Sequence, residues 1–186
     1  NYDCATQQAI YEDASFEQRD QNTQQVQRQI KLEQPVEVLF EGADIETYLP
    51  IQTKEIKDID LTSVKEDFAY LFVGHWLQGD LGEDRKNVGL LIKAFYETFK
   101  NKMKKPALIL KASMGGTSYL DREEMLKRIA TIRKSVNSNN VPNVYLLHGE
   151  FLDEEMNQLY NHPKVKSMVS LTKGEGYGRP LLEFSL

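Results

Sequence analysis

The chain has 186 residues, 40% of them hydrophobic, and a net charge of −5, which allows one full globular domain and a piece of a second. No apolar run is long enough to span a bilayer, and no Lys/Arg block marks a nucleic-acid footprint. Cys4 is the single cysteine, so no internal disulfide forms, and His75, His148 and His162 are too scattered for zinc spacing.

The first ten residues lack the basic start and apolar stretch of a secretory signal, which with the lone cysteine predicts a reducing cytoplasm. Residues 1–34 are rich in Gln, Glu and Asp. The stretch 21–32 reads as a solvated helical or partly ordered segment, with Val26 and Ile30 one turn apart. Val36-Glu37-Val38-Leu39-Phe40 reads as a strand stopped by Glu41-Gly42. The polar run from Thr47 to Lys65 reads as a linker, which sets the expected division at 1–48, 49–66 and 67–186.

After Asp67 the texture changes. Phe68-Ala69-Tyr70-Leu71-Phe72-Val73 is a continuous apolar run ending at Gly74, the mark of a strand buried on both faces. Leu91, Phe95 and Phe99 place one apolar face on a helix over 86–100. Ala107-Leu108-Ile109-Leu110 is a second strand. A helix follows near Asp121, with Ser118 as its cap and Met125, Ile129 and Ile132 as its buried stripe. Val144-Tyr145-Leu146-Leu147 is the third strand, 153–160 a short helix, 165–171 the fourth strand, and a last helix starts near Pro180. This alternation predicts an α/β fold, a Rossmann-like parallel sheet with helices on both faces. Leu186 stops inside that last apolar run with no Gly or basic residue to end it, so the domain is expected to be incomplete at its C-terminus.

Ligands of such sheets bind at the carboxyl ends of the strands. The last loop there reads Thr172-Lys173-Gly174-Glu175-Gly176-Tyr177-Gly178-Arg179-Pro180-Leu181-Leu182-Glu183. Its glycines permit close backbone approach, and Pro180 suits a first helical turn whose amides form an anion site. Glu175 and Glu183 flank that site as acceptors for sugar hydroxyls. Taken singly, each residue fits a Gly-rich turn before a surface helix; the ordered set fits a nucleotide sugar. Arg85 and Lys86 stand at another predicted helix start, where the dipole favours acids, and their presence makes sense if a diphosphate shares the site.

Glu175 and Glu183 with seven residues between them resemble the Glu-x7-Glu motif of retaining glycosyltransferases of the two-domain GT-B architecture. The wording Glu175-Gly176-Tyr177-Gly178-Arg179-Pro180-Leu181-Leu182-Glu183 is similar to their large family four. Tyr70-Leu71-Phe72-Val73-Gly74, Arg85-Lys86-Asn87 and Leu91-Ile92-Lys93-Ala94-Phe95 resemble the opening of its donor-binding domain, and Glu41-Gly42-Ala43-Asp44 the hand-over from the first domain. The resemblance runs from about residue 36 to the end. It implies that 1–48 is the tail of the acceptor-side domain and that 67–186 binds a UDP- or GDP-sugar, without cofactor or metal, for transfer with retention to a glycan, lipid or small-molecule acceptor. It also leaves room for peripheral membrane contact. By the same resemblance Glu175 binds the donor hexose and Glu183 the ribose, while Gly176, Tyr177, Gly178 and Leu182 hold sugar and phosphate oxygens. Arg85 and Lys86 then stabilise the departing nucleotide, and Gly74, His75 and Thr172 complete the donor site. Thr172 stands where the family usually has serine, and His75 where arginine is common. The piece alone is expected not to turn over.

Three other readings stay open. Asp58-Ile59-Asp60 fits the Asp-x-Asp of metal-dependent transferases, although it precedes the first buried strand. A non-catalytic module binding a nucleotide or sugar phosphate would need largely the same residues. So would another enzyme of this architecture, such as a sugar-nucleotide epimerase or a phosphorylase.

Overall fold

The computed structural model describes residues 42–77 and 81–186, together with the backbone of four short strands before them. The chain divides into two compact units, Asn1–Gly42 and Ala43–Leu186.

In the first unit β1 (Tyr2–Asp3) pairs antiparallel with β2 (Gln8–Ala9). β3 (Ser15–Arg19) pairs antiparallel with β4 (Val26–Lys31), Phe16 opposite Ile30. The helical reading of 21–32 is therefore corrected where it is described: Val26–Lys31 is extended. A spacing of four, as between Val26 and Ile30, satisfies the strand period of two as well as a helical turn, and the tertiary pairing decides between them. The expected strand at 36–40 lies outside the described residues.

The second unit is an α/β Rossmann-like fold. Its elements run β5 (Ala69–His75), α1 (Val88–Phe99), β6 (Ala107–Ser113), α2 (Tyr119–Lys134), β7 (Val144–Leu147), α3 (Asp153–Tyr160), β8 (Val165–Met168) and α4 (Arg179–Ser185). The four strands form one parallel sheet in the order β7-β6-β5-β8. Alternate residues of the central strands feed two cores. Phe72, Leu108 and Leu110 meet Leu91, Ile92 and Phe95 of α1 and Met125 of α2 on one face. Ala69, Leu71 and Ile109 meet Met156 and Leu159 of α3 on the other, with Phe184 of α4 beside them. Leu71, Leu108, Ile109 and Leu110 are fully buried, each contributing about 1.5–3 kcal/mol of transfer free energy.

Helix starts follow local chemistry. Ser118 Oγ accepts from Asp121 N at 3.1 Å and caps α2 as its position in the sequence predicts. At α1 the buried Asp84 supplies the negative charge: its Oδ2 accepts from Val88 N at 3.1 Å. Gly178 holds a left-handed conformation (φ 82°) immediately before α4, a turn that a side chain would strain.

Residues 49–66, read as a linker, are fastened to α3. Asn157 and Leu49 exchange two hydrogen bonds, at 3.3 and 3.1 Å, and Asn161 Oδ1 accepts from Ile51 N at 3.2 Å. Gln158 Oε1 accepts from Lys57 N and Asp58 N, and Lys164 Nζ donates to Leu61 O and Val64 O. Tyr48, Leu61 and Val64 are buried in the α3-side core. Polar side chains of α3 and of Asn161 just after it satisfy backbone groups of this run, whose own polar residues are mostly exposed.

Candidate functional site

β5 and β8 are neighbours in the sheet, but the helices that follow them leave on opposite faces. The loops after these strands therefore diverge and open a crevice, the topological switch point where such folds bind ligands. Here the two marked segments of the sequence meet. Lys86 Nζ forms an ion pair with Glu175 Oε1, with side chains 12% and 24% exposed. Arg85 Nη1 donates to Gly174 O at 2.6 Å and stands 3.9 Å from Glu175 Oε2. The Arg85 side chain is mostly exposed, so its ion pair adds only about 0–1 kcal/mol.

Backbone contacts lock the loops together. Lys173 N donates to Arg85 O at 2.9 Å, and Thr172 Oγ1 donates to Gly174 O at 2.8 Å. Asn87, in the left-handed region (φ 53°) that asparagine tolerates, donates through Nδ2 to Leu171 O at 2.8 Å. Its Oδ1 is buried with no hydrogen-bond partner. The run Arg85-Lys86-Asn87 thus has a structural anchor in Asn87 that the sequence does not single out.

A cavity of about 280 Å³ lies at this crevice, lined among others by Gly74, His75, Arg85, Lys86, Lys111 and Pro180. A second, of about 420 Å³, shares His75, Lys111 and Ser113 with it and extends to residues 115–117 and 149–151. His75 Nδ1 lies 2.8 Å from Ser113 Oγ, since the register sets His75 beside Ser113. A further cavity of about 410 Å³, between α1 and α2, is lined by Trp76, Gly89, Lys93, Arg128 and Ile132 and contains none of the candidate residues.

The structure thus brings Gly74, His75, Arg85, Lys86, Thr172 and Glu175 to one place. Gly176 and Tyr177 are exposed in the same loop, and a Cβ on Gly176 would meet nothing within 4 Å. Leu182 is half-buried on α4. Glu183 turns elsewhere. Its Oε1 takes Arg179 at 3.0 and 3.1 Å, its Oε2 accepts from Tyr160 Oη at 3.2 Å, and it lines neither strand-end cavity. Burial first, then the Glu183 carboxylate, pushes the Tyr160 hydroxyl far above its usual range, so it stays a donor.

At the start of α4, where an anion site is expected, two amides are turned inward. Leu181 N and Leu182 N already donate to Gly178 O, at 2.9 and 3.2 Å, and Pro180 has no N–H. Arg85 and Lys86 bring positive charge to the crevice.

Lys111 is the residue that sequence reading passes over. β6 continues three residues beyond Leu110, so Lys111 pairs with Val73 at the carboxyl edge. Its Nζ donates to Gly149 O at 2.7 Å and sits 4.3 Å over the Phe151 ring. Burial pulls its ammonium below the ordinary lysine value, opposed by the Glu150 and Glu155 carboxylates. The available signal was a lysine directly following a buried strand at its ligand-facing end. His148, whose ring nitrogens lie 3.3 Å from Ala112 O and 3.1 Å from Ser118 O, ties the end of β7 to the loop after β6.

Asp58 and Asp60 stand at the opposite edge of the sheet. Asp58 Oδ2 accepts from Gln158 at 2.7 Å, and Asp60 Oδ1 from Thr62 N at 2.8 Å, near Lys164 at the amino end of β8. They do not share the crevice.

No family model, curated protein or solved structure matches the chain. No helix among the described residues is long and apolar enough to cross a membrane.

Proposed function

We propose that this protein is a glycosyltransferase that binds a nucleotide-diphosphate sugar at the crevice between β5 and β8. One observation carries the reading: two cations, Arg85 and Lys86, and one carboxylate, Glu175, converge there from loops far apart in sequence. A diphosphate joined to a polyol is the ligand whose charge and hydroxyls match such a set. Arg85 and Lys86 neutralise the diphosphate and stabilise the negative charge that grows on the departing nucleotide. Glu175 accepts hydrogen bonds from hydroxyls of the transferred hexose. The open backbone at Gly174 and Gly176 allows the sugar and phosphate oxygens to approach closely. In this reading transfer proceeds with retention, the cations take the place that a metal ion holds in other transferases, and the acceptor is a glycan, lipid or small molecule. A reducing cytoplasm suits a chain with Cys4 as its one cysteine.

Titration with nucleoside diphosphates, without added metal, tests the reading. One of them binds and loses its affinity in Lys86→Ala. A protein that unfolds cooperatively on heating yet binds no nucleoside diphosphate would overturn it.

A further inference from the structure

The cavity of about 410 Å³ between α1 and α2 shares none of its described lining residues with the two strand-end cavities, and the proposed donor site leaves it unused. Its floor is apolar, formed by Trp76, Leu81 and Ile132. Gly89 keeps that floor open: a Cβ there would stand 3.4 Å from Leu81 Cδ1, 3.6 Å from Ile132 Cδ1 and 3.7 Å from Trp76 Cζ2. Glycine is a poor helix former, so helix stability does not account for its place in the first turn of α1. The polar part of the lining is cationic. Among its described residues Lys93, Lys127 and Arg128 stand against one carboxylate, Glu124.

Arg128 is the fixed member of this set. Its guanidinium carbon lies 5.6 Å from the centre of the Trp76 ring, and its Nε donates to Glu124 Oε1 at 3.1 Å. Its Nη1 is buried with no acceptor among the described residues. A guanidinium is a planar fork that pairs best with a carboxylate taking two of its donors, and Glu124 is held through Nε alone. An apolar pocket of this size with a few convergent polar groups has the form of a small-molecule site. We infer that it binds a free single-chain carboxylate, a fatty-acid-like anion. The chain lies on Trp76, Leu81 and Ile132, and the head meets Arg128, Lys93 and Lys127. The cationic excess of the lining complements an anionic head, and the apolar floor excludes a small inorganic anion as the preferred occupant. Trp76, 2% exposed, lies between two helices where a monomer inserts and a flat bilayer surface does not reach.

Trp76 is the one tryptophan of the chain, so its emission reports occupancy of the floor directly. The test is titration of the purified protein with decanoate, below its micellar concentration, and with decanol, followed by Trp76 emission and by calorimetry. Decanoate changes the emission saturably and binds at least about tenfold more tightly than decanol, the worth of a charged hydrogen bond. Arg128→Met keeps an apolar stem over the ring and brings the two ligands to within about threefold of each other. Gly89→Leu fills the floor and weakens both, and Arg128→Met alone decides where that variant does not fold. Equal affinity of the parent protein for decanoate and decanol overturns the inference, since the cations then select nothing. A decanoate preference that survives in Arg128→Met overturns it as well, as does a folded protein that gives neither heat nor a change of emission. An emission change seen with anionic phosphatidylglycerol vesicles but not with decanoate replaces the small ligand by a membrane contact.

Discussion

Lys86 and Glu175, 89 positions apart, form an ion pair across the crevice between β5 and β8. Both side chains are partly buried, so solvent and salt screen the pair less than an exposed one. In the proposed function the incoming diphosphate draws Lys86 away, and the released carboxylate turns to the sugar.

Lys86→Ala is therefore expected to weaken binding of a nucleoside diphosphate by about 10–100-fold, the loss of a charged hydrogen bond. The corresponding nucleoside, which lacks the phosphates, changes by less than about threefold. Calorimetric titration of both ligands checks this, and equal losses would remove Lys86 from the diphosphate site.

Glu183→Ala acts on stability. The substitution leaves the buried Tyr160 hydroxyl without its acceptor and Arg179 without its partner, at a cost of about 1–3 kcal/mol. Adding Tyr160→Phe to Glu183→Ala costs less than Tyr160→Phe in the parent, because the hydroxyl it removes is already unpaired. Urea denaturation of the four proteins measures the coupling. Unchanged stability with weaker nucleotide binding would return Glu183 to the ribose role that the motif implies.

Leu110→Ala removes a fully buried side chain from the α1–α2 core and is expected to cost about 2–5 kcal/mol. A change below 1 kcal/mol in the denaturation midpoint analysis, against that expectation of about 2 or more, would contradict the close packing of this face.

His162 gives stability a mild acid sensitivity. Burial, then the nearby Lys164, holds its imidazole below the ordinary value of 6.5, and its Nδ1 accepts from Lys164 N at 3.1 Å. The unfolded chain then binds the proton more readily than the fold does. Stability rises with pH through this range and is lost as pH falls from about 6.5 through the depressed folded value. His162→Gln flattens the profile of midpoint against pH between about 5 and 7; a parent profile that is already flat would contradict the assignment.

The sequence by itself determined the local elements of the second unit. The continuous apolar run 107–110 is a strand buried on both faces, and the run 144–147 is a strand that lies half-buried at the sheet edge. The face of Leu91, Phe95 and Phe99 and the Ser118 cap mark helices for equally local reasons. Arg85, Lys86 and Glu175 were legible because their chemistry stood out against the dipole and glycine context around them. Only the tertiary structure decided the rest. That β8 lies beside β5 follows from long-range pairing, and this adjacency is what joins Arg85 and Lys86 to Glu175. Pairing with β5 extends β6 to place Lys111 at the ligand-facing edge, side chains of α3 fasten residues 49–66, and pairing with β3 sets Val26–Lys31 as a strand. Glu183 shows the limit most clearly: its spacing from Glu175 is a property of the chain, but its direction is settled by Tyr160 on another helix. Spacing and polarity are encoded locally, whereas the neighbours of a side chain depend on which distant elements bury surface together.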